Sequence, residues 1–149
     1  MTIVPAGEPH LAAWAKLREM LWPEEDADAH LDDIALSFGR APDFAAFLAL
    51  DALDTPVGFA EASLRRDYVN GCKTSPVLFL EGIFVREDRR RRGLGRQLCA
   101  AVEDWGRVLG CSEFASDAPI DNVAARRFHA MLGFEETREV VYFRRVLQD

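Results

Sequence analysis

Residues 89–96 read Arg-Arg-Arg-Arg-Gly-Leu-Gly-Arg. Before them stands the apolar run Val77-Leu78-Phe79-Leu80-Glu81-Gly82-Ile83-Phe84-Val85, rich in β-branched and aromatic residues, which predicts a buried strand. After them Leu94, Leu98, Ala101, Val102, Trp105 and Leu109 recur at spacings of three and four, which is one face of a helix. The Gly93-Leu94-Gly95 segment therefore marks a strand-to-helix turn. Such a turn presents unpaired backbone N–H groups at the positive end of the helix dipole, a ready site for phosphate. Glycines there let the backbone approach a ligand, and arginines add bidentate phosphate donors.

Charge sharpens this reading. The chain carries 18 Lys+Arg against 25 Asp+Glu, a formal net charge of −7. Six of the basic residues (Arg86, Arg89, Arg90, Arg91, Arg92 and Arg96) fall in residues 86–96 beside Glu87 and Asp88. That leaves 12 basic (18 less six) against 23 acidic (25 less two) elsewhere. One cationic spot on an acidic body points to a small polyanion held at one point. It argues against nucleic-acid binding, which needs a basic face. A solvated charge run is the plain alternative, but arginine in a first helical turn opposes the dipole.

The 149 residues suit one domain, residues 1–149, with a real core. A hydrophobic content of 49% and a charged content of 29% are those of an ordinary globular chain. No apolar stretch approaches the roughly 20 residues of a membrane span, and Met1-Thr2-Ile3-Val4-Pro5 lacks the pattern of a signal peptide. Cys72, Cys99 and Cys111 are odd in number and irregular in spacing, so they read as reduced thiols in a cytoplasm, with neither a disulfide framework nor a metal site. Patterning predicts strands over residues 2–5, 44–51, 57–66, 77–85, 112–116 and 140–146. It predicts helices over residues 9–21, 27–38, 94–109 and 122–132, with Gly39, Gly110 and Gly133 as stops. This order implies an α/β chain with one mixed sheet and helices on both faces.

Arg90-x-x-Gly93-x-Gly95 is neither the dinucleotide fingerprint nor a P-loop, since the third glycine and the Gly-Lys-Ser/Thr are missing. Placed between a strand and a helix, it resembles the acetyl-CoA pyrophosphate loop of the GNAT acetyltransferases. The segment Asn122-Val123-Ala124-Ala125-Arg126-Arg127-Phe128-His129-Ala130-Met131-Leu132-Gly133-Phe134 is similar to a second motif of that family. The resemblance implies a GNAT fold: one mixed, mostly antiparallel sheet with a splayed central strand pair. It also implies acetyl-CoA held by Arg90, Arg91, Arg92, Gly93, Leu94, Gly95, Arg96 and Asn122, with the backbone of Ile83, Phe84 and Val85 along its acetyl arm. The family often has tyrosine four residues before the glycine, as a proton donor to the leaving thiolate. Here that residue is His129, which either replaces the tyrosine or is a helix residue without chemistry.

Further blocks resemble the aminoglycoside 6′-N-acetyltransferases: Leu21-Trp22-Pro23, Asp67-Tyr68-Val69-Asn70-Gly71-Cys72, Phe79 to Val85, Ala115-Ser116-Asp117 and Leu132-Gly133-Phe134-Glu135-Glu136-Thr137. By that resemblance Trp22, Tyr68, Glu81 and Asp117 contact the antibiotic. An acidic contact expected after Gly133-Phe134 aligns with Arg138, and Glu136 or Glu135 stands nearby to substitute.

The residues support the same chemistry. Glu81 interrupts an apolar strand, and a carboxylate there is costly unless paired or put to use; simple outward alternation is the alternative. Asp117 follows a short strand at its C-terminal end, where ligand sites gather, or it is a turn residue. Trp22 and Tyr68 either wall a sugar site or fill the core. Glu24, Glu25, Asp26, Asp28, Asp32 and Asp33, with no Lys or Arg among them, can steer a cation; a solvated helix face is the plainer reading.

The expected partner is an aminoglycoside or another cationic amine. Other readings are a GNAT enzyme of polyamines or peptide amines, and a CoA-binding module without turnover. Val140-Val141-Tyr142-Phe143 is too apolar for a free edge strand, so either both its faces are buried in one subunit or it joins a homodimer interface.

Overall fold

The computed structural model describes residues 1–148. Strands β1 (Thr2–Pro5), β2 (Phe44–Leu50), β3 (Pro56–Arg65), β4 (Val77–Val85) and β5 (Phe114–Ala115) form one sheet in chain order. The first three pairings are antiparallel and the last is parallel. The mixed sheet expected from the sequence is therefore present. Alternation along β3 feeds two cores. Phe59 packs with Trp14, Leu17 and Ile34 from helices α1 (Leu11–Leu21) and α2 (Ala27–Phe38). Ala60, Ala62 and Leu64 face Leu94, Leu98 and Val102 of helix α3 (Leu94–Val108), with Phe128 of helix α4 (Val123–Met131) against the same core.

Two irregularities in β4 shape the molecule. Ala62 pairs with Leu80 and Glu61 with Gly82, so Glu81 is an extra residue opposite no partner. A bulge of this kind breaks the two-residue alternation and re-aims side chains. Leu80 and Ile83 point into the α3 core. Glu81 and Gly82 between them both face α1 and α2: Glu81 reaches Ser63 and Gly82 abuts Trp22.

The second irregularity is a splay. β5 pairs with β4 only at Leu78–Phe114 and Phe79–Ala115, and then diverges. Leu80 O meets Ser116 Oγ at 3.2 Å. Among the described residues no strand lies beside the outer edge of β4 from Glu81 to Val85. Arg86 N–H donates to Val57 O on β3, while Val85 O accepts from Arg90 on the other side. By alternation the N–H groups of Ile83 and Val85 lie on the open edge.

Some expectations need correction. The strand predicted over residues 112–116 shrinks to Phe114–Ala115 because of the splay. The first turn of the predicted opening helix is a 3₁₀ turn, Glu8–His10. Gly39 closes α2 in a right-handed conformation, so it is no left-handed cap, whereas Gly110 and Gly133 are left-handed as expected. The strand predicted over residues 140–146 is absent. Residues 135–148 are irregular, with Tyr142 81% and Phe143 92% exposed. A strand needs a neighbour for its backbone groups, and residues 140–146 pair with none among the described residues.

The β2–β3 turn is held by Asp51, whose Oδ1 accepts the N–H groups of Leu53 (2.8 Å) and Thr55 (3.0 Å). The Thr55 and Leu53 bonds hold this carboxyl below the usual aspartate range. A depressed folded-state value means that the unfolded chain binds the proton more readily, so stability rises with pH through this window. Asp51→Asn keeps the acceptor and loses the charge. We expect native and D51N unfolding midpoints to differ above the ordinary aspartate value and to converge as pH falls through the depressed one. Parallel curves at all pH values would contradict this.

Candidate active site

The glycine turn forms as the sequence predicts. Gly93 adopts φ +76°, the left-handed region, and caps α3 without any side chain bonded to the exposed N–H groups. A Cβ on Gly93 would meet nothing within 4 Å, so its reason is conformational. Gly95 has a different reason: a Cβ there would lie 3.0 Å from the Phe128 ring. It lets α3 and α4 approach each other.

The arginines divide. Arg86 and Arg89 are both spent on Asp88, at 2.9 and 3.0 Å, and Arg89 also approaches Asp51 at 3.8 Å. Arg90 donates through Nε to Val85 O at 2.8 Å, which ties the loop to the end of β4. Arg91, Arg92 and Arg96 are exposed and form no ion pair among the described residues. The cationic spot is thus smaller than the six-arginine count implied. Asn122 caps α4, its Oδ1 accepting from Ala125 N at 3.1 Å, which leaves its side-chain NH₂ to donate to a ligand.

Glu81 projects from the bulge into a cavity of about 320 Å³ between α1, α2 and the sheet. Trp22, Glu61, Asp33 and Arg18 share that wall. Glu81 is already partnered: Ser63 Oγ donates to it, and Arg65 grips both oxygens at 3.1 Å while stacking 3.4 Å over the Phe79 ring. A cation entering the cavity must share or displace Arg65. Simple outward alternation does not describe Glu81; the bulge brings it to the pocket face.

A buried network underlies the pocket. Arg18 donates through Nε to His30 Nδ1 (3.2 Å), pairs with Glu61 and lies 4.9 Å from the Trp22 ring. Trp14 donates to Glu61 at 2.9 Å. His30 Nδ1 accepts, so Nε2 carries the proton and donates to Trp22 O at 3.0 Å. Burial pushes the Glu61 carboxyl up, against the pull of Arg18 and Trp14. Glu25, His30 and Asp33 lie within metal-ligand reach of one another, but both His30 nitrogens are engaged and offer no lone pair to a cation. Asp26, from the acidic run, caps α2 by accepting from Ala29 N at 2.9 Å.

Sequence reasoning missed Glu61, Arg18 and Arg65. The signal that raised Glu81, a lone carboxylate in an apolar strand, stands equally at Glu61 within Phe59-Ala60-Glu61-Ala62.

Other expected residues do not reach this cavity. Tyr68 is 69% exposed in the β3–β4 loop. That loop is anchored by buried Val69 and by the Glu113 carboxylate, which accepts Lys73 and Thr74 N–H at 2.8 and 2.7 Å. Asp117 is exposed just beyond β5, and Arg138 is exposed beyond α4. Glu136 pairs with Arg126 through both oxygens, at 2.7 and 3.0 Å, so it is not a free acidic contact. His129 lies at the splay, 2.8 Å from Ser116. The three cysteines are free, and burial pushes the Cys99 thiol up to about 12, which removes it as a nucleophile.

Gly82 carries the most specific packing constraint. A Cβ there would lie 2.5 Å from the Trp22 ring. Gly82→Ala should displace Trp22 at a cost of about 1–3 kcal/mol in stability and raise KM for the amine substrate more than KM for the acyl donor. Chemical denaturation and initial rates check both; an unchanged amine KM would show that Trp22 does not shape that site.

The model of the acetyltransferase (GNAT) family matches residues 11–134. An aminoglycoside N(6′)-acetyltransferase type 1 of Salmonella enteritidis is 47% identical over 97% of this chain and 99% of its own. One of Stenotrophomonas maltophilia is 49% identical over 99% of this chain and 94% of its own. The structure of AAC(6′)-Iy in complex with the bisubstrate analogue CoA-S-monomethyl-acetylneamine superposes with a TM-score of 0.90 at 45% identity, covering 98% of each chain. Among the described residues no helix is long and apolar enough to cross a membrane. The chain belongs to the GNAT acetyltransferase family, among the type 1 aminoglycoside N(6′)-acetyltransferases.

Proposed function

We propose that this chain transfers the acetyl group of acetyl-CoA to the 6′-amine of aminoglycoside antibiotics, directly, with both substrates bound together in one cytoplasmic domain. The observation that carries the reading is one of adjacency. A helix N-terminus without a side-chain cap but with free arginines, an open strand edge and an acid-walled cavity all meet along β4. The analogue bound by AAC(6′)-Iy joins CoA to an acetylated aminoglycoside in one molecule.

The chemistry follows from the parts. The N–H groups of Leu94, Gly95 and Arg96, with Arg91, Arg92 and Arg96, take the pyrophosphate. The open-edge N–H groups of Ile83 and Val85 align the acetyl arm and stabilise the oxygen that becomes negative as the amine attacks. Glu81 holds the substrate ammonium in place of Arg65. A carboxylate in direct contact with an ammonium keeps its proton on, so deprotonation runs through water. Asp117 and Tyr68, exposed in the free chain, are the further antibiotic contacts.

We also propose a homodimer. The exposed run from Val140 to Phe143 has the composition of a strand but no neighbour to pair with among the described residues, and pairing with a second copy would cover it. The partner's tail would then lie beside Arg138. A 16.7 kDa particle at all accessible concentrations would rule the dimer out.

CoA release measured with kanamycin, tobramycin, spermidine and peptide amines tests the function. The aminoglycosides should give kcat/KM at least tenfold above the others; preference for spermidine or a peptide would redirect the reading to another amine, and no release at all to a binding module. Gly93→Val should raise KM for acetyl-CoA by roughly tenfold or more, because valine disfavours the left-handed cap. Unchanged affinity would place the cofactor elsewhere. Glu81→Gln should lower kcat/KM for aminoglycosides by about 2 kcal/mol or more, roughly thirtyfold. Normal turnover at all pH values would remove Glu81 from the mechanism.

A further inference from the structure

We infer that Ser116 is the residue that protonates the departing CoA sulfur, with His129 supplying the proton through it. The inference rests on the acetyl-transfer reading above and assigns one step within it.

The hydrogen bonds around His129 fix its proton. Nδ1 lies 2.7 Å from Ala125 O, one turn back on α4. A carbonyl only accepts, so Nδ1 carries a hydrogen in either charge state. Nε2 is therefore the nitrogen that gains and loses a proton, and its partner is Ser116 Oγ at 2.8 Å. That hydroxyl has a second acceptor, Leu80 O, at 3.2 Å. One hydroxyl hydrogen cannot serve both. With His129 neutral, Ser116 donates to Nε2. With His129 charged, Nε2–H donates to Ser116, whose own hydrogen turns to Leu80 O. The pair thus has two defined states, and the charged one aims a hydroxyl hydrogen at the rim of the splay. Leu80 stands one residue past the last β4–β5 pair, Phe79–Ala115, where the open edge begins. Ser116 and His129 are both half-buried, and the Phe134 ring packs against the imidazole at 5.4 Å, which holds its orientation.

The step balances. As the C–S bond breaks, its electron pair goes to sulfur. Sulfur takes the Ser116 hydroxyl proton, Ser116 Oγ takes the proton of His129 Nε2, and His129 is left neutral with its hydrogen on Nδ1. An ammonium sheds two protons on becoming an amide: one returns through water to His129, the other enters solvent. Ser116 is catalytic in this scheme, and His129 acts through it.

Ser116→Ala and His129→Gln should each lower kcat about 10²-fold, the low end for a general acid. KM for both substrates and the calorimetric Kd for CoA should stay within about twofold, while Ser116→Thr, which keeps the hydroxyl, should retain most of kcat. In ¹⁵N NMR spectra of the ligand-free protein, neutral His129 should carry its hydrogen on Nδ1, and S116A should shift the Nε2 resonance. Wild-type kcat in S116A, a T variant as slow as the A variant, or a neutral Nε2–H tautomer would overturn the assignment. An inactive native chain would refute the acetyl-transfer reading instead, and the NMR arm would still decide whether the pair exists.

Discussion

One extra residue in β4 organises this molecule. Without the bulge, strict alternation would carry either Glu81 or Gly82 to the wrong face, and every later residue of β4 would exchange cores. With it, Leu80 and Ile83 both reach the α3 core, while Glu81 and Gly82 stand together beneath α1 and α2. Gly82 makes room for the Trp22 ring and Glu81 supplies the carboxylate beside it. The same strand then leaves its outer edge open, because β5 ends after two residues. A charged pocket on one side and an unpaired backbone edge on the other thus share a few residues of one strand.

The carboxylates of the pocket are made affordable by cations placed in advance. Arg18 holds Glu61 and braces His30, which in turn fixes the Trp22 backbone. Arg65 holds Glu81. These are different situations. The Arg18–Glu61 pair is buried, so removing one partner strands a charge at a cost of about 3–5 kcal/mol. The Arg65 pair is partly open to solvent, with side chains 42% and 27% exposed, and an incoming ammonium can replace the guanidinium at small cost. The first pair is a fixed wall and the second an exchangeable site.

Much of this was legible in the chain. The Gly93 turn, the run of β4 and the face of α3 announced their elements through period and punctuation, and the family resemblance named the open edge. The bulge was not legible, since β4 is apolar on both sides of Glu81 and an inserted residue leaves no trace in a pattern already without alternation. Glu61 was legible by the rule that singled out Glu81. The roles of Asp26 and Asn122 as helix caps, and of Arg86 and Arg89 as partners of Asp88, depend on which charges meet in space, which composition does not record. The tail, residues 140–146, shows the reverse: its sequence has strand character, and among the described residues no strand receives it.

The most direct test is a crystal structure of the protein with CoA and an aminoglycoside bound together. The account predicts the pyrophosphate on the α3 N-terminus, the pantetheine arm along Ile83 and Val85, and the 6′-nitrogen beside Glu81 with Arg65 swung away. An aminoglycoside bound with its 6′-nitrogen remote from Glu81, or Arg65 still gripping both carboxylate oxygens in the ternary complex, would contradict it.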